Sequence, residues 1–248
     1  MQGLEKYTQQ MSVVREAIQK SETARKLTEA TTAPDQMLLW LINFSSRGVR
    51  MTAPVEGWIR RAGERCQELG FEDVGRQLVK HASQEHDHHL MMIEDTIALV
   101  NRWNSTHEEQ LDATTLLERP ATPSVQAYID LHEDIIASEQ PYRQVAIERE
   151  IEGLSLALGP SMIGRCRDLL GMDGLSEVSF ITDHVELDVG HTAFNEKLLK
   201  KLFDAAPETV DAMIEAGTAA LTSYLGFMTD CLDKPVMASV HAPTQQTA

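Results

Sequence analysis

The sequence predicts an all-α protein, a single-domain helical bundle of about eight to nine helices. Three observations point there. Apolar residues recur at three- and four-residue spacing along most of the chain. Runs of alternating β-branched residues bounded by hairpin turns are missing. Prolines and glycines stand several helical turns apart, where they suit helix starts and stops. The domain is expected over residues 1–233. Residues 234–248, with Pro235, Pro243 and several Thr and Gln, are expected to form a disordered tail.

In chain order, a first helix is predicted over residues 4–30, ended by the breaker Thr31, Thr32, Ala33, Pro34. A second, over 35–52, carries Leu38, Leu39, Trp40, Ile42 and Phe44 around most of its surface and reads as buried. Pro54 opens a third, closed by Gly70 as a C-terminal cap. The fourth is long, over 72–101. Residues 104–122 are polar and read as a connection with one helical turn. Further helices are predicted over 124–138, 141–158, 160–170, 175–203 and 207–232. The three tryptophans, Trp40, Trp58 and Trp103, read as core packing.

The chain has 248 residues, with 22 Lys and Arg against 38 Asp and Glu, a formal net charge of −16. A broad basic face for nucleic acid or an anionic membrane is excluded by that balance. Cys66, Cys166 and Cys231 are far apart and include no CxxC pair, which fits a reducing compartment. Charges interrupt the first thirty residues, and the longest apolar run is the six residues Met37 to Ile42. A soluble, cytoplasmic protein is expected. GxGxxG and Walker sequences are missing, so no nucleotide cofactor is expected.

The segment HVELDVGH is the most informative. At about 100° per residue, positions i, i+4 and i+7 fall within roughly 60° of each other, so His184, Asp188 and His191 share a helix face. Phe180, Leu187, Phe194 and Leu198 make that face apolar. A carboxylate there needs a compensating partner, and a metal ion supplies one. Two His and one carboxylate suit ferrous iron with open positions for dioxygen. A second cluster lies in HASQEHDHH, where Glu85 falls in the stripe Leu78, Ala82, Glu85, His89, Met92, Thr96. A Glu followed by His at i+3 is the spacing of dimetal carboxylate bundles, which selects His88 with His89 as its rival. His86 and Asp87 point to solvent. A further carboxylate comes from Glu152, with Glu148 as the alternative, on a segment whose small residues let a backbone approach closely. Glu150, beside Arg149, reads as solvated. The buried acids are then Glu85, Glu152 and Asp188.

These pieces resemble the heme-oxygenase-like diiron oxidases and oxygenases, which share a fold with TenA thiaminases, PqqC-type oxidases and CADD-like proteins. HASQEHDH is similar to that family's HxxxExxH, IEGLS to its apolar-Glu-Gly segment, and HVELDVGH to its HxxxDxxH; the likeness spans residues 38–202. The resemblance implies two Fe2+ ions with dioxygen as co-substrate and no heme. It implies metal ligands Glu85, His88 and Glu152 on one iron and His184, Asp188 and His191 on the other, with a carboxylate bridging. Met92 stands where some members carry a His seven residues after the Glu. The implied reaction is oxidation of a small amino-acid-like or fatty-acid-like substrate by N-oxygenation, C–C cleavage or desaturation. In this reading His81 supports a ligand from behind or lines the pocket, and Arg47 and Arg50 are candidate clamps for a substrate carboxylate. A homodimer is expected. A heme enzyme of this fold needs an N-terminal proximal His, and the first eighty residues contain none. The remaining alternatives are a cofactor-free TenA- or PqqC-like enzyme and a non-catalytic iron-binding or regulatory protein.

Overall fold

The computed structural model describes residues 2–233 and Val236. The expected tail, apart from Val236, lies outside the described residues. Among them there is no strand, and eleven α-helices succeed one another. They are α1 Gln2–Gln19, α2 Glu22–Thr28, α3 Pro34–Thr52, α4 Val55–Glu68, α5 Glu72–Ala82, α6 His88–Thr106, α7 Ala113–Leu117, α8 Pro123–Ala137, α9 Gln144–Leu170, α10 Ser179–Ala205 and α11 Val210–Asp233. None of them is long and apolar enough to cross a membrane.

Helix α3 is buried along most of its length, as its apolar run predicts, and packs against α6 and α11. Trp40, Trp58 and Trp103 lie in the core. Helix α9 runs along both α10 and α11, while α4 and α5 form a close pair at one end.

Three boundaries differ from the sequence expectation, each for a local reason. The first predicted helix is two, because Ser21 adopts extended geometry and its hydroxyl caps α2 by accepting from the Ala24 N–H at 3.1 Å. The two helices predicted over 141–170 are one continuous α9 that carries Pro160 inside it. Proline removes one internal hydrogen bond, and packing against α10 holds the helix together there. A Cβ on Gly159 would come within 2.2 Å of Val185 Cγ2, so the missing side chain at Gly159, rather than the one at Gly153, sets how closely α9 and α10 approach. The long fourth helix is broken at 83–87. The Gln84 and Glu85 N–H groups donate to the carbonyls of His81 and Ala82 in a tightened turn, and Asp87 takes the left-handed conformation (φ 62°), which Asp tolerates better than most residues. Glu85 therefore sits in a turn and His88 begins a new helix.

Asp95, buried on α6, caps α10 across the bundle. Its Oδ1 accepts from the Ser179 N–H at 2.9 Å and hydroxyl at 2.8 Å, and its Oδ2 from the Phe180 N–H at 3.0 Å. Four residues beyond Phe180 comes His184, so this cap ties the α10 ligand face to the helix that begins with His88.

Candidate metal centre

Four segments converge on one buried point: the end of α5 with its following turn, the start of α6, the middle of α9 and the first half of α10. Donor atoms of His81, Glu85, Glu152 and His191 lie within 4.8 Å of one another, and so do those of Glu85, His88 and His184. Glu85 belongs to both groups. Its Oε1 is 3.3 Å from His191 Nδ1 and 3.5 Å from His81 Nε2, while its Oε2 is 2.9 Å from His88 Nδ1. Asp188 stands beside them, with Oδ1 3.6 Å from His191 Nδ1.

The structure therefore brings together all six residues of the expected set, but divides them differently. His184 falls with Glu85 and His88, their imidazoles 4.8 Å apart. Glu152 falls with His191, not with His88. The broken helix favours His88 over His89, because only His88 reaches Glu85 and the adjoining cavity. Leu187, expected on the apolar face, is exposed, as are His86 and Asp87.

Buried carboxylates outnumber the expected three, since Asp95, Glu148 and Glu150 join Glu152 and Asp188 while Glu85 is only partly exposed. Glu150 is 1% exposed rather than solvated. Arg15 holds it through two contacts of 2.7 and 2.6 Å and the Tyr7 hydroxyl donates to it at 2.7 Å. Its partners lie 135 and 143 positions away in sequence, and Arg149 is not among them.

The remaining polar groups show how the cluster is oriented. The Asn195 amide donates to both oxygens of Glu152, at 3.1 and 2.9 Å. His184 Nδ1 contacts the Phe180 carbonyl at 2.8 Å, which leaves Nε2 as its free nitrogen. In contrast, both ring nitrogens of His81 and the Nδ1 atoms of His88 and His191 are buried and make no hydrogen bond, although carboxylate oxygens lie close by. Buried polar atoms are seldom left so. Imidazole nitrogens and carboxylate oxygens grouped around a shared point without satisfying each other are the donor set that a divalent cation requires.

Electrostatics point the same way. Burial works against protonation of His81, but Glu152 and Glu85 outweigh it and lift its pKa to about 10. Burial raises Glu148 to about 8, and the neighbouring Glu152 and Glu85 add to it against His81. Burial also raises Glu152. Burial resists ionisation of Glu85, yet His81 and His88 hold it well below the usual carboxylate range. Burial lowers His184, whereas Asp188 raises His191.

A cavity of about 130 Å³ adjoins the cluster. Glu85, His88, Glu152, His184 and Asp188 form its polar end, and Phe44, Met51, Leu158, Met162, Phe180 and Met228 are among its apolar walls. Tyr128, Tyr224 and Glu148 also face it. No Lys or Arg among the described residues lines it. Arg47 instead donates to Asn43 Oδ1 at 3.3 Å, and Arg50 to the carbonyls of Arg119 and Glu118 at 2.6 and 3.1 Å, so neither is a clamp in this cavity. The cysteines are buried and none lines it; burial pushes the Cys66 and Cys166 thiols up to about 12. Sequence reasoning missed Asn195, although it follows His191 by four residues on the same face. Asp95 left no sequence signal, since its partners lie 84 and 85 positions away.

No protein-family profile and no curated protein matches the chain. Solved structures do. A domain of unknown function with a heme oxygenase-like fold from Shewanella denitrificans aligns with TM-score 0.74 at 16% identity, over 92% of this chain and 91% of that one. A TenA homologue from Pseudomonas syringae pv. tomato aligns with TM-score 0.69 at 13% identity, over 92% and 91%. A CADD-like protein of unknown function from Nostoc punctiforme aligns with TM-score 0.63 at 10% identity, over 94% and 99%. This chain has the heme-oxygenase-like fold.

Proposed function

We propose that the protein is a non-heme diiron oxidase or oxygenase that uses dioxygen to oxidise a small, largely aliphatic substrate. The observation that supports this most is the convergence of Glu85, His88, Glu152, His184, Asp188 and His191 on one buried point, with imidazole nitrogens left without hydrogen bonds, at the end of an apolar cavity. Two ferrous ions held within this cluster would supply the electrons that reduce dioxygen.

The chain's own contribution is placement and dryness. Asn195 fixes the plane of the Glu152 carboxylate, the Phe180 carbonyl selects the free nitrogen of His184, and Glu85 offers one oxygen to each side. Apolar walls exclude water from the reacting end. Glu148 accepts from the Gln144 amide at 2.5 Å and faces the cavity in a proton-holding environment. Tyr128 and Tyr224 are held as neutral phenols by burial. The cavity's mostly apolar walls favour a fatty-acid-like substrate over an amino-acid zwitterion, whose second charge they would leave unsolvated. Without a cavity-lining Cys, thiolate nucleophilic catalysis lacks its nucleophile.

The test is anaerobic loading with Fe2+ followed by exposure to oxygen. Two irons per chain, and oxygen uptake accelerated by a medium-chain aliphatic acid more than by an amino acid, are expected. A chain that binds no iron, or fewer than two ions, refutes the reading.

A further inference from the structure

Resting on the diiron reading, we propose that His81 is itself a metal ligand and that the centre is asymmetric. One ion is held at the buried end by His81, Glu85 Oε1, Glu152 and His191, and the other at the cavity end by Glu85 Oε2, His88 and His184. The second ion, with fewer protein donors, is the one that meets the organic substrate.

Donor spacing carries the argument. Atoms bound at 2.0–2.2 Å to a common ion lie about 3.0 Å apart at right angles, about 3.4 Å apart in a tetrahedron and about 4.2 Å apart when opposite. His81 Nε2 is 3.3 Å from Glu152 Oε1 and 3.5 Å from Glu85 Oε1. His191 Nδ1 is 4.0 Å from Glu152 Oε1 and 3.3 Å from Glu85 Oε1. All four separations fall in the range expected of ligands around one ion. A histidine that merely supported a ligand would donate an N–H to a carboxylate, yet His81 Nε2 makes no hydrogen bond to either oxygen and is fully buried. Its ring is placed by packing, edge-on to Phe194 at 5.5 Å and 5.0 Å from His191. The break after α5 contributes too, because Glu85 belongs to a turn and so spans the last turn of α5 and the first residue of α6.

The surroundings of the two groups differ in the same sense. His88 and His184 line the apolar cavity, whereas His81 and His191 do not. Those two line a separate opening formed with Lys80, Gln84, Gly190 and Phe194. The buried-end ion thus has four protein donors and lies beside a separate opening of about 330 Å³ with polar and apolar walls, and the cavity-end ion has three donors and faces the apolar cavity; Asp188 lines that cavity but belongs to neither group of donors.

The experiment is metal titration of the full chain with Co2+, and with 57Fe2+ under anaerobic conditions. Content per chain is measured after desalting, and the iron samples are examined by Mössbauer spectroscopy. Wild type is expected to hold two ions in two distinguishable environments. His81→Phe keeps a ring against Phe194 without a lone pair; it should hold one ion and lose one of the two signals. His88→Ala should lose the other. Should His81→Phe fail to fold, as judged by its far-UV circular dichroism, His81→Gly is titrated with and without imidazole; imidazole should return the content from one ion to two. The proposal is overturned if His81→Phe keeps both ions within threefold of the wild-type affinity, or if imidazole leaves the content of His81→Gly unchanged. Fewer than two ions in wild type would instead overturn the diiron reading, and is distinguishable because it appears before any substitution.

Discussion

Replacing Asp95 by Ala tests whether the ligand face of α10 is held from across the bundle. The carboxylate accepts three hydrogen bonds, two from backbone N–H groups at the start of α10 and one from the Ser179 hydroxyl. Hydrogen bonds to a charged group contribute about 1.5–3 kcal/mol each, and loss of a helix cap costs about 0.5–2 kcal/mol. Ser179 and Phe180 are half-buried, so water can reach part of the vacated space, and burial already penalises the Asp95 charge. Together these set the loss at about 2–4 kcal/mol. For a domain of this size that is a fall in Tm of roughly 4–16 °C. Asp95→Asn keeps one acceptor oxygen and should lose about half as much. Thermal unfolding followed at 222 nm gives the stability, and Co2+ titration gives the consequence for the site, where binding at the His184 end should weaken before the other. If Asp95→Ala melted within about 1 °C of wild type, the cap would not be what fixes α10.

Other substitutions probe the remaining supports. Arg15→Ala strands the Glu150 carboxylate, whose side chain is 0% exposed; urea unfolding should show a loss of about 3–5 kcal/mol, and Arg15→Ala with Glu150→Gln should recover part of it. Gly159→Ala should cost about 1–3 kcal/mol through the contact with Val185, and Val185→Ala should relieve it, so a double-mutant cycle should show coupling. His132 is fully buried, stacked on Trp58 at 4.1 Å and paired with Gln144. Burial lowers its pKa to about 3, so the unfolded chain takes up the proton first. Its contribution is complete above about pH 6.5 and is lost as the pH falls toward 3, up to about 5 kcal/mol. Denaturant midpoints measured between pH 7 and 4 should fall less steeply in His132→Gln than in wild type.

Much of this architecture is legible from local pattern. The apolar run of α3 marks a buried helix, Pro54 and Gly70 bracket α4, and the spacing of His184, Asp188 and His191 puts them on one face wherever that helix packs. The unread parts depend on partners remote in sequence. Glu150 looks solvated beside Arg149 until α1 delivers Arg15 and Tyr7. Pro160 reads as a stop until Gly159 lets α10 support the helix. The break at 83–87 is hidden because its residues continue a helical apolar stripe, and it is made by the tightened turn at Gln84 and Glu85 together with the left-handed Asp87. That break also explains why His81 reads as a supporting residue from the sequence. Spacing on an unbroken helix orders His81, Glu85 and His88 along a face, whereas the turn makes Glu85 the link between two groups of donors.

The buried acids themselves separate structural from chemical roles. Asp95 receives three hydrogen bonds from α10, and Glu150 receives Arg15 and Tyr7, so the protein supplies each of these carboxylates with the donors that burial demands. Around Glu85, Glu152 and Asp188 the supply changes character. Apart from the Asn195 amide on Glu152, what faces them is imidazole, and imidazole nitrogens there remain without hydrogen bonds. Evenly matched charge and donors give a fold its stability, as at Glu150. Carboxylates faced by imidazole nitrogens that do not hydrogen-bond to them, next to a cavity lined by no basic side chain among the described residues, form a group that could hold a cation. A cation bound there partners these groups, which is why metal loading should raise Tm, whereas loading the His81→Phe variant should raise it less. Equal stabilisation of the two proteins by saturating Co2+ would show that the cation is held without His81.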